Sequence, residues 1–398
     1  MSHFELAART RLMTTSAIRD LLKVLDRPGM ISLAGGMPAA ELFPVEPLRA
    51  AADRVMQREP RIALQYAPTE GDPRLRAWVA QHLSERCGSP IPPERVMIVS
   101  GSQQAIDLVA RVLLDAGSPL LVDDPTFIGA LMTYRPYEPR FVPVASDDLG
   151  VLPDAFARSA VGARMAYVMP NFQNPTGRTL PTDRRRAIAQ AARDAGTWLV
   201  EDDPYGELRY EGEALPPLLA FDPEHVIHMG TFSKVLAPGF RLGYVVAPPP
   251  VLDKLLMAKQ AADLHTSRLA QMTVAEFLAA EPLQPHLDLL RATYRRRRDA
   301  IVTALRERLP EFRFVAPAGG MFVWVEAPAT VDAQRLLARA IDHGVAFVQG
   351  APFFAGPART NTLRLSFVTV DEAAIRRGID RLAAAARELA DAAPVPVA

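Results

Sequence analysis

Residues 230–244 read GTFSKVLAPGFRLGY, which sets Lys234 in a largely apolar, turn-rich stretch with Arg241 seven residues further on. Burial penalises a charged ammonium and a nearby cation penalises it again, so the pKa of such a lysine falls. The neutral amine is then a nucleophile able to form a Schiff base with a carbonyl compound. Thr231, Ser233 and Arg241 gather hydrogen-bond donors beside it, a concentration that suits a phosphate. The plain alternative is a lysine whose stem lies on the surface with its head in water.

Three further segments follow short apolar runs. Ser100-Gly101-Ser102-Gln103-Gln104 joins a strand pattern to a helix pattern, and the free N–H groups of such a helix start hold anions, phosphate above all. Pro170-Asn171-Phe172-Gln173-Asn174-Pro175-Thr176-Gly177 has the composition of a structured turn. Glu201-Asp202-Asp203-Pro204-Tyr205 puts three acids together, which repel one another unless something positive is near. A metal or a protonated ring nitrogen would serve. The segment has no histidine and no second acidic cluster answers it, so the ring nitrogen comes first. Singly, each segment also fits an ordinary cap, loop or ion pair. Together, a phosphate cradle, an acid for a pyridinium and a lysine that forms a Schiff base are what pyridoxal phosphate requires.

Strands must carry these groups. VMIVS (96–100), PLLVD (119–123), RMAYVM (164–169), TWLVED (197–202), VIHMG (226–230) and RLGYVVA (241–247) are short apolar runs with helical stretches between several of them, such as 184–196. That alternation predicts an α/β domain with a mostly parallel sheet covered on both faces, its ligands beyond the carboxyl ends of the strands. Both ends of the chain differ: a helix in SAIRDLLKVLD, a Gly/Pro-rich ISLAGGMPAAELFP, and an α+β pattern after about residue 285 with a strand pair in FRFVAPAGGMFVWVEAP. The expected division is an N-terminal segment over 1–45 that joins a small domain, a large domain over 46–284 and the small domain proper over 285–398.

Forty-five basic and 45 acidic side chains balance in 398 residues, so no charge footprint favours nucleic acid or an anionic membrane. The run Arg295–Arg298 lies in a helical pattern and reads as a solvated helix face. The lone Cys87 allows no disulfide framework and suits a reducing cytoplasm. No close His/Asp cluster suggests a metal, no run of 18 apolar residues suggests a membrane span, and the N-terminus does not read as a signal peptide.

The ordered set SAIRDLLK, ISLAGGMPAAELFP, LQYAPTEGDPRLR, SGSQQAIDL, QNPTG, VEDDPYGEL, TFSKVLAPGFRLGY, AKQAADLHT, GGMFVWVE and NTLRLSF spans nearly the whole chain. It resembles the fold-type I, class I/II pyridoxal-phosphate aminotransferases, and within them the 2-aminoadipate (LysN-like) and multisubstrate branch. The resemblance implies a large domain with a seven-stranded, mostly parallel sheet and a smaller α+β domain. It implies that Lys234 carries the cofactor and moves the substrate proton, that Asp202 pairs with the ring nitrogen, and that Tyr205 and Asn174 bond the ring's phenolic oxygen. Gly101, Ser102, Gln103, Thr231, Ser233 and Arg241 become candidates for the phosphate. Phe127 would stack on the ring, at a position where tyrosine is common in this branch. Tyr66 would reach the phosphate of a neighbouring subunit in a homodimer with shared sites. Arg364 would clamp the substrate carboxylate with Gly36 close by, and Ser16 and Arg19 would meet an acidic side chain. The implied reaction moves an amino group from an L-amino acid (2-aminoadipate, glutamate, or a leucine or aromatic type) to a 2-oxo acid such as 2-oxoglutarate, by a ping-pong scheme. The alternatives are a lyase or decarboxylase on the same cofactor, a regulator with a DNA-binding extension before an aminotransferase-like domain, and a silent binding module. Matching motifs that begin by residue 16 count against the regulator, and a full residue set counts against the silent module.

Overall fold

The computed structural model describes residues 5–14 and 28–391. In chain order its strands are β1 (Ile31–Ser32), β2 (Val96–Val99), β3 (Pro119–Asp123), β4 (Arg140–Val144), β5 (Ser146–Asp147), β6 (Gly150–Val151), β7 (Met165–Val168), β8 (Trp198–Asp202), β9 (Val226–Thr231), β10 (Gly243–Val246), β11 (Arg313–Phe314), β12 (Phe322–Glu326), β13 (Val345–Ala346), β14 (Val348–Gln349) and β15 (Thr362–Ser366). Seven of them form one sheet in the order β2-β10-β9-β8-β7-β3-β4. Its inner strands are buried on both faces, and β2, β7 and β10 are buried over their full lengths, which is why they read as unbroken apolar runs.

All neighbours in this sheet run parallel except β10, which is antiparallel to both β2 and β9. The reversal matters for position. Gly243, the first residue of β10, is level with Val99 at the end of β2 and with Thr231 at the end of β9. Arg241, which enters β10, therefore stands beside the loops that leave β2 and β9. Gly243 permits this closeness, because a Cβ there would lie 2.9 Å from the Gly230 carbonyl and 3.1 Å from Gly101 Cα.

A second sheet, β11-β12-β15-β14, is antiparallel throughout. The chain's beginning joins this end of the molecule: β1 pairs with β13, and Ser366 N–H donates to Leu33 O at 2.7 Å. The helix Leu283–Arg308 contains the arginine run, and here the expectation of a solvated face is corrected. Arg297 and Arg298 are buried. Arg297 donates to the Val368 carbonyl and, at 2.6 Å, to Glu41, while Arg298 donates to Pro317 O at 2.7 Å and to Glu211 at 2.5 Å. At about 100° per residue, four consecutive residues fan out over about 300° around the helix, so they cannot all share one face.

Arg185, fully buried, organises the loop after β7. It donates to Leu180 O at 2.8 Å, Pro216 O at 2.9 Å, Pro170 O at 3.0 Å and Asn171 Oδ1 at 2.6 Å. Burial lowers its pKa to about 10, which leaves it charged at neutral pH. Arg185→Met is expected to destabilise the fold by about 3 kcal/mol or more, since buried carbonyls lose their donor, and a denaturant titration measures it.

Candidate active site

The carboxyl ends of β2, β8 and β9 and the loops after β3 and β7 open on a cavity of about 310 Å³. It is lined by Gly36, Ser102, Gln103, Phe127, Met169, Asn174, Asp202, Pro204, Tyr205, Thr231, Ser233, Lys234, Pro238, Arg241, Phe322 and Arg364. Twelve of the residues singled out in the sequence thus meet in one place. Gly101 sits directly behind, with its Cα position against the Arg241 guanidinium. Tyr66 lies outside this cavity and is 74% exposed. Ser16 and Arg19 fall outside the described residues.

Lys234 donates to Gly36 O at 2.8 Å. It faces the cavity but is otherwise enclosed by protein, and this desolvation lowers its pKa to about 8, helped first by Arg364 and then by Arg241. The sequence named Arg241 as the neighbouring cation, whereas Arg364, 130 positions away in the chain, ranks ahead of it.

The three acids of β8 and its exit divide their tasks. Glu201 is buried against His228, 2.8 Å from its Nδ1, and accepts from the backbone N–H groups of Leu218 and Leu219 at 2.8 and 3.1 Å. Asp203 accepts from Arg86 at 2.8 Å and from Asn171 at 3.0 Å. Burial alone would raise its pKa, yet the Arg86 charge holds it below the ordinary value. Asp202 alone reaches the cavity unpaired with a cation. Its Oδ2 accepts from Tyr167 Oη at 2.5 Å, and its Oδ1 is buried with no partner among the described residues. Burial pushes its carboxyl up to about 7 despite the tyrosine. Two of the three acids are thus engaged, Glu201 by His228 and two backbone amides and Asp203 by Arg86, and the third keeps one bare acceptor among the described residues.

Arg364 on β15 is the cavity's deepest cation, 1% exposed. It donates to Asn174 Oδ1 at 2.9 Å and to Ala34 O at 2.8 Å, and its Nε has no partner. Phe322 and Phe353 sandwich the guanidinium, their ring centres 4.2 and 5.2 Å from Cζ. No carboxylate pairs with it among the described residues, and burial lowers its pKa to about 10. Such a charge is costly unless an anionic guest completes it. Tyr205 packs edge-on against Phe322 at 6.0 Å, and its hydroxyl is raised well above the usual range by burial.

At the other end, the helix Ser102–Leu113 starts at Gly101, whose φ of 84° and ψ of 164° only glycine adopts readily. The Ser102 hydroxyl is buried without a partner, and Thr231 Oγ1 accepts from Ser233 N–H at 3.1 Å. Behind them lies a support the sequence reading did not assign. Lys259, fully buried, donates to Asp263 at 2.7 Å, Gln104 at 3.0 Å and Thr266 at 3.0 Å, and Asp263 accepts from Ser100 Oγ at 2.9 Å. The motif AKQAADLHT carried that signal, as a lysine and an aspartate four apart on one helix face. Tyr167, Met169 and Phe322 were also missed, and Tyr167 could have been found as the one hydroxyl in an otherwise apolar strand.

The residues fit pyridoxal phosphate on three counts: a bare buried acceptor for a ring N–H, an unpartnered hydroxyl at a helix start beside Arg241, which pairs with no carboxylate among the described residues, for a phosphate, and an amine that is easily neutral. The comparisons agree. Residues 29–382 match the family described as aminotransferase class I and II, so the chain belongs to that family and is an aminotransferase. It is 45% identical to the 2-aminoadipate transaminase of Thermus thermophilus over 94% of each chain. It is 41% identical to aromatic-amino-acid aminotransferase 1 of Thermococcus litoralis over 94% of this chain and 92% of that one. Among solved structures, the α-aminoadipate aminotransferase LysN of Thermus thermophilus, complexed with N-(5′-phosphopyridoxyl)-L-leucine, superposes with a TM-score of 0.90 at 41% identity, covering 97% of this chain and 98% of that one. The central sheet between helices is that of the fold-type I enzymes.

Gly101→Ala tests whether the Gly101–Arg241 approach holds the cofactor. The new Cβ would stand 2.6 Å from Arg241 Nη2, and the backbone strain costs about 1–3 kcal/mol. Affinity for pyridoxal phosphate, read by equilibrium dialysis, is expected to fall tenfold or more.

Proposed function

We propose that this aminotransferase takes the amino group from an L-amino acid of the 2-aminoadipate, glutamate, leucine or aromatic type and passes it to a 2-oxo acid, 2-oxoglutarate first among them, in two alternating half-reactions. Arg364 is the observation that carries this reading, because a buried cation without an acid calls for a carboxylate guest within the cavity that Lys234 also lines. The cofactor is pyridoxal phosphate, which supplies an electron sink for the carbanion formed at the substrate Cα. Both substrate types carry the α-carboxylate that Arg364 would hold with its planar fork, and the Asn174 and Ala34 contacts fix that fork's orientation.

The other roles follow from chemistry at each atom. Lys234 would hold the cofactor through its amine, and its Nζ, free once substrate is bound, would serve as the base that takes the substrate Cα proton. Asp202 Oδ1 accepts from the ring nitrogen. Tyr205 and Asn174 hold the ring's phenolic oxygen, and Phe127 covers one face of the ring. Gly101, Ser102, Gln103, Thr231, Ser233 and Arg241 hold the phosphate. Gly36 lines the carboxylate end. The exposed Tyr66 is suited to reach the phosphate of a second copy, so the working unit is a homodimer of the cytoplasm, each chain divided near residues 45 and 285. Ser16 and Arg19 would read an acidic side chain. The likeness to both a 2-aminoadipate and an aromatic-amino-acid enzyme supports a broad donor range.

Lys234→Ala is expected to abolish turnover while leaving the fold intact, and a variant turning over at the wild-type rate would sink the assignment. Because the lysine is neutral above about pH 8, capture of pyridoxal phosphate by the apoprotein should accelerate as pH rises from about 6 to 8 and level off beyond. Stopped-flow absorbance follows it. Arg364→Lys should raise KM for amino donors about 100-fold with a smaller change in kcat, since a point charge replaces a bidentate fork. Steady-state kinetics with 2-aminoadipate, leucine, phenylalanine and methionine against 2-oxoglutarate would set the donor order.

A further inference from the structure

Asp202 has a single side-chain donor among the described residues, and it is the hydroxyl of Tyr167. The two strands lie side by side, with Val168 level with Glu201, so the tyrosine on β7 reaches across to the acid that ends β8. Tyr167 is fully buried and its ring stands edge-on to Tyr134 with 5.8 Å between centres. The other acids near Asp202 are already engaged: Glu201 with His228 and two backbone amides, Asp203 with Arg86 and Asn171. Oδ1 is left bare.

We propose that Tyr167 is a positioning residue that sets the basicity of Asp202, so that the proton shared between Oδ1 and the cofactor's ring nitrogen stays on the nitrogen. The inference rests on the reading that Asp202 meets that nitrogen. A hydrogen bond to one carboxylate oxygen stabilises the ionised form, and a buried carboxylate deprived of it holds a proton more tightly. Removing the hydroxyl would therefore break the ring N–H bond in favour of an O–H bond on Oδ1. A charged pair would become a neutral pair, with the proton conserved between them. Tyr167 is itself kept as a donor, because burial and the Asp202 charge raise its pKa well above the usual value. The loss of positive charge would weaken the ring as an electron sink, so the proton-removal step would slow while substrate binding at Arg364 would not.

The test uses holoenzyme loaded with pyridoxal phosphate labelled with 15N in the ring, compared by solid-state NMR for the wild type, Tyr167→Phe and Asp202→Asn. In the wild type the ring nitrogen should give the signal of a protonated pyridine. In Tyr167→Phe it should move toward that of an unprotonated pyridine, with kcat reduced tenfold or more and KM for the amino donor changed less than threefold. An unchanged nitrogen signal in Tyr167→Phe beside a displaced one in Asp202→Asn overturns the inference and leaves the Asp202 assignment standing. An unchanged signal in Asp202→Asn overturns that assignment, and this inference with it. A fall in kcat without any movement of the nitrogen signal would make Tyr167 a packing residue and also overturns the proposal.

Discussion

The reversal of β10 is the constraint on which the site depends. A wholly parallel sheet would send the start of β10 to the far edge, away from the carboxyl ends of its neighbours. Because β10 runs against β2 and β9, its first residues meet the last residues of both. Arg241 then joins the helix start at Ser102 and the Thr231–Lys234 turn, and Gly243 and Gly101 give the room for that meeting. The Arg241 end of the cavity is thus a product of strand direction as much as of residue type.

The Arg364 end is built by a different part of the chain. β15 contributes Arg364, β12 contributes Phe322, and the segment after β1 contributes the carbonyls of Ala34 and Gly36. Lys234 stands between the two ends, bonded to Gly36 and depressed in pKa by cations from both. Desolvation does most of this, and it is effective because the amine is enclosed on every side except the cavity.

Much of this arrangement was legible in the sequence because the residues that line the cavity sit in short runs with strong local signals. Lys234 stood out as a charge among apolar residues, Gly101–Gln103 as a helix start, and Asp202 as one of three crowded acids. The strands were readable because buried strands are continuous apolar runs. What the sequence could not supply were relations across strands: that His228 and Arg86 would occupy two of the three acids, that Tyr167 would hold the third, and that Lys259 would brace the loop before Ser102. The four-arginine run misled because a run has no face until the helix is wound. The roles of Arg364 and Phe127 came from family likeness alone, since neither has a local pattern that marks it.

The charges around the cavity do not balance. Among the described residues, Lys234, Arg241 and Arg364 line it with Asp202 as the sole acid, although the chain as a whole is neutral. A recess with low-dielectric walls concentrates such a field at its mouth. The anionic phosphate ester of the cofactor is therefore drawn toward the cavity of the apoprotein before it touches any residue, and added salt would slow its arrival.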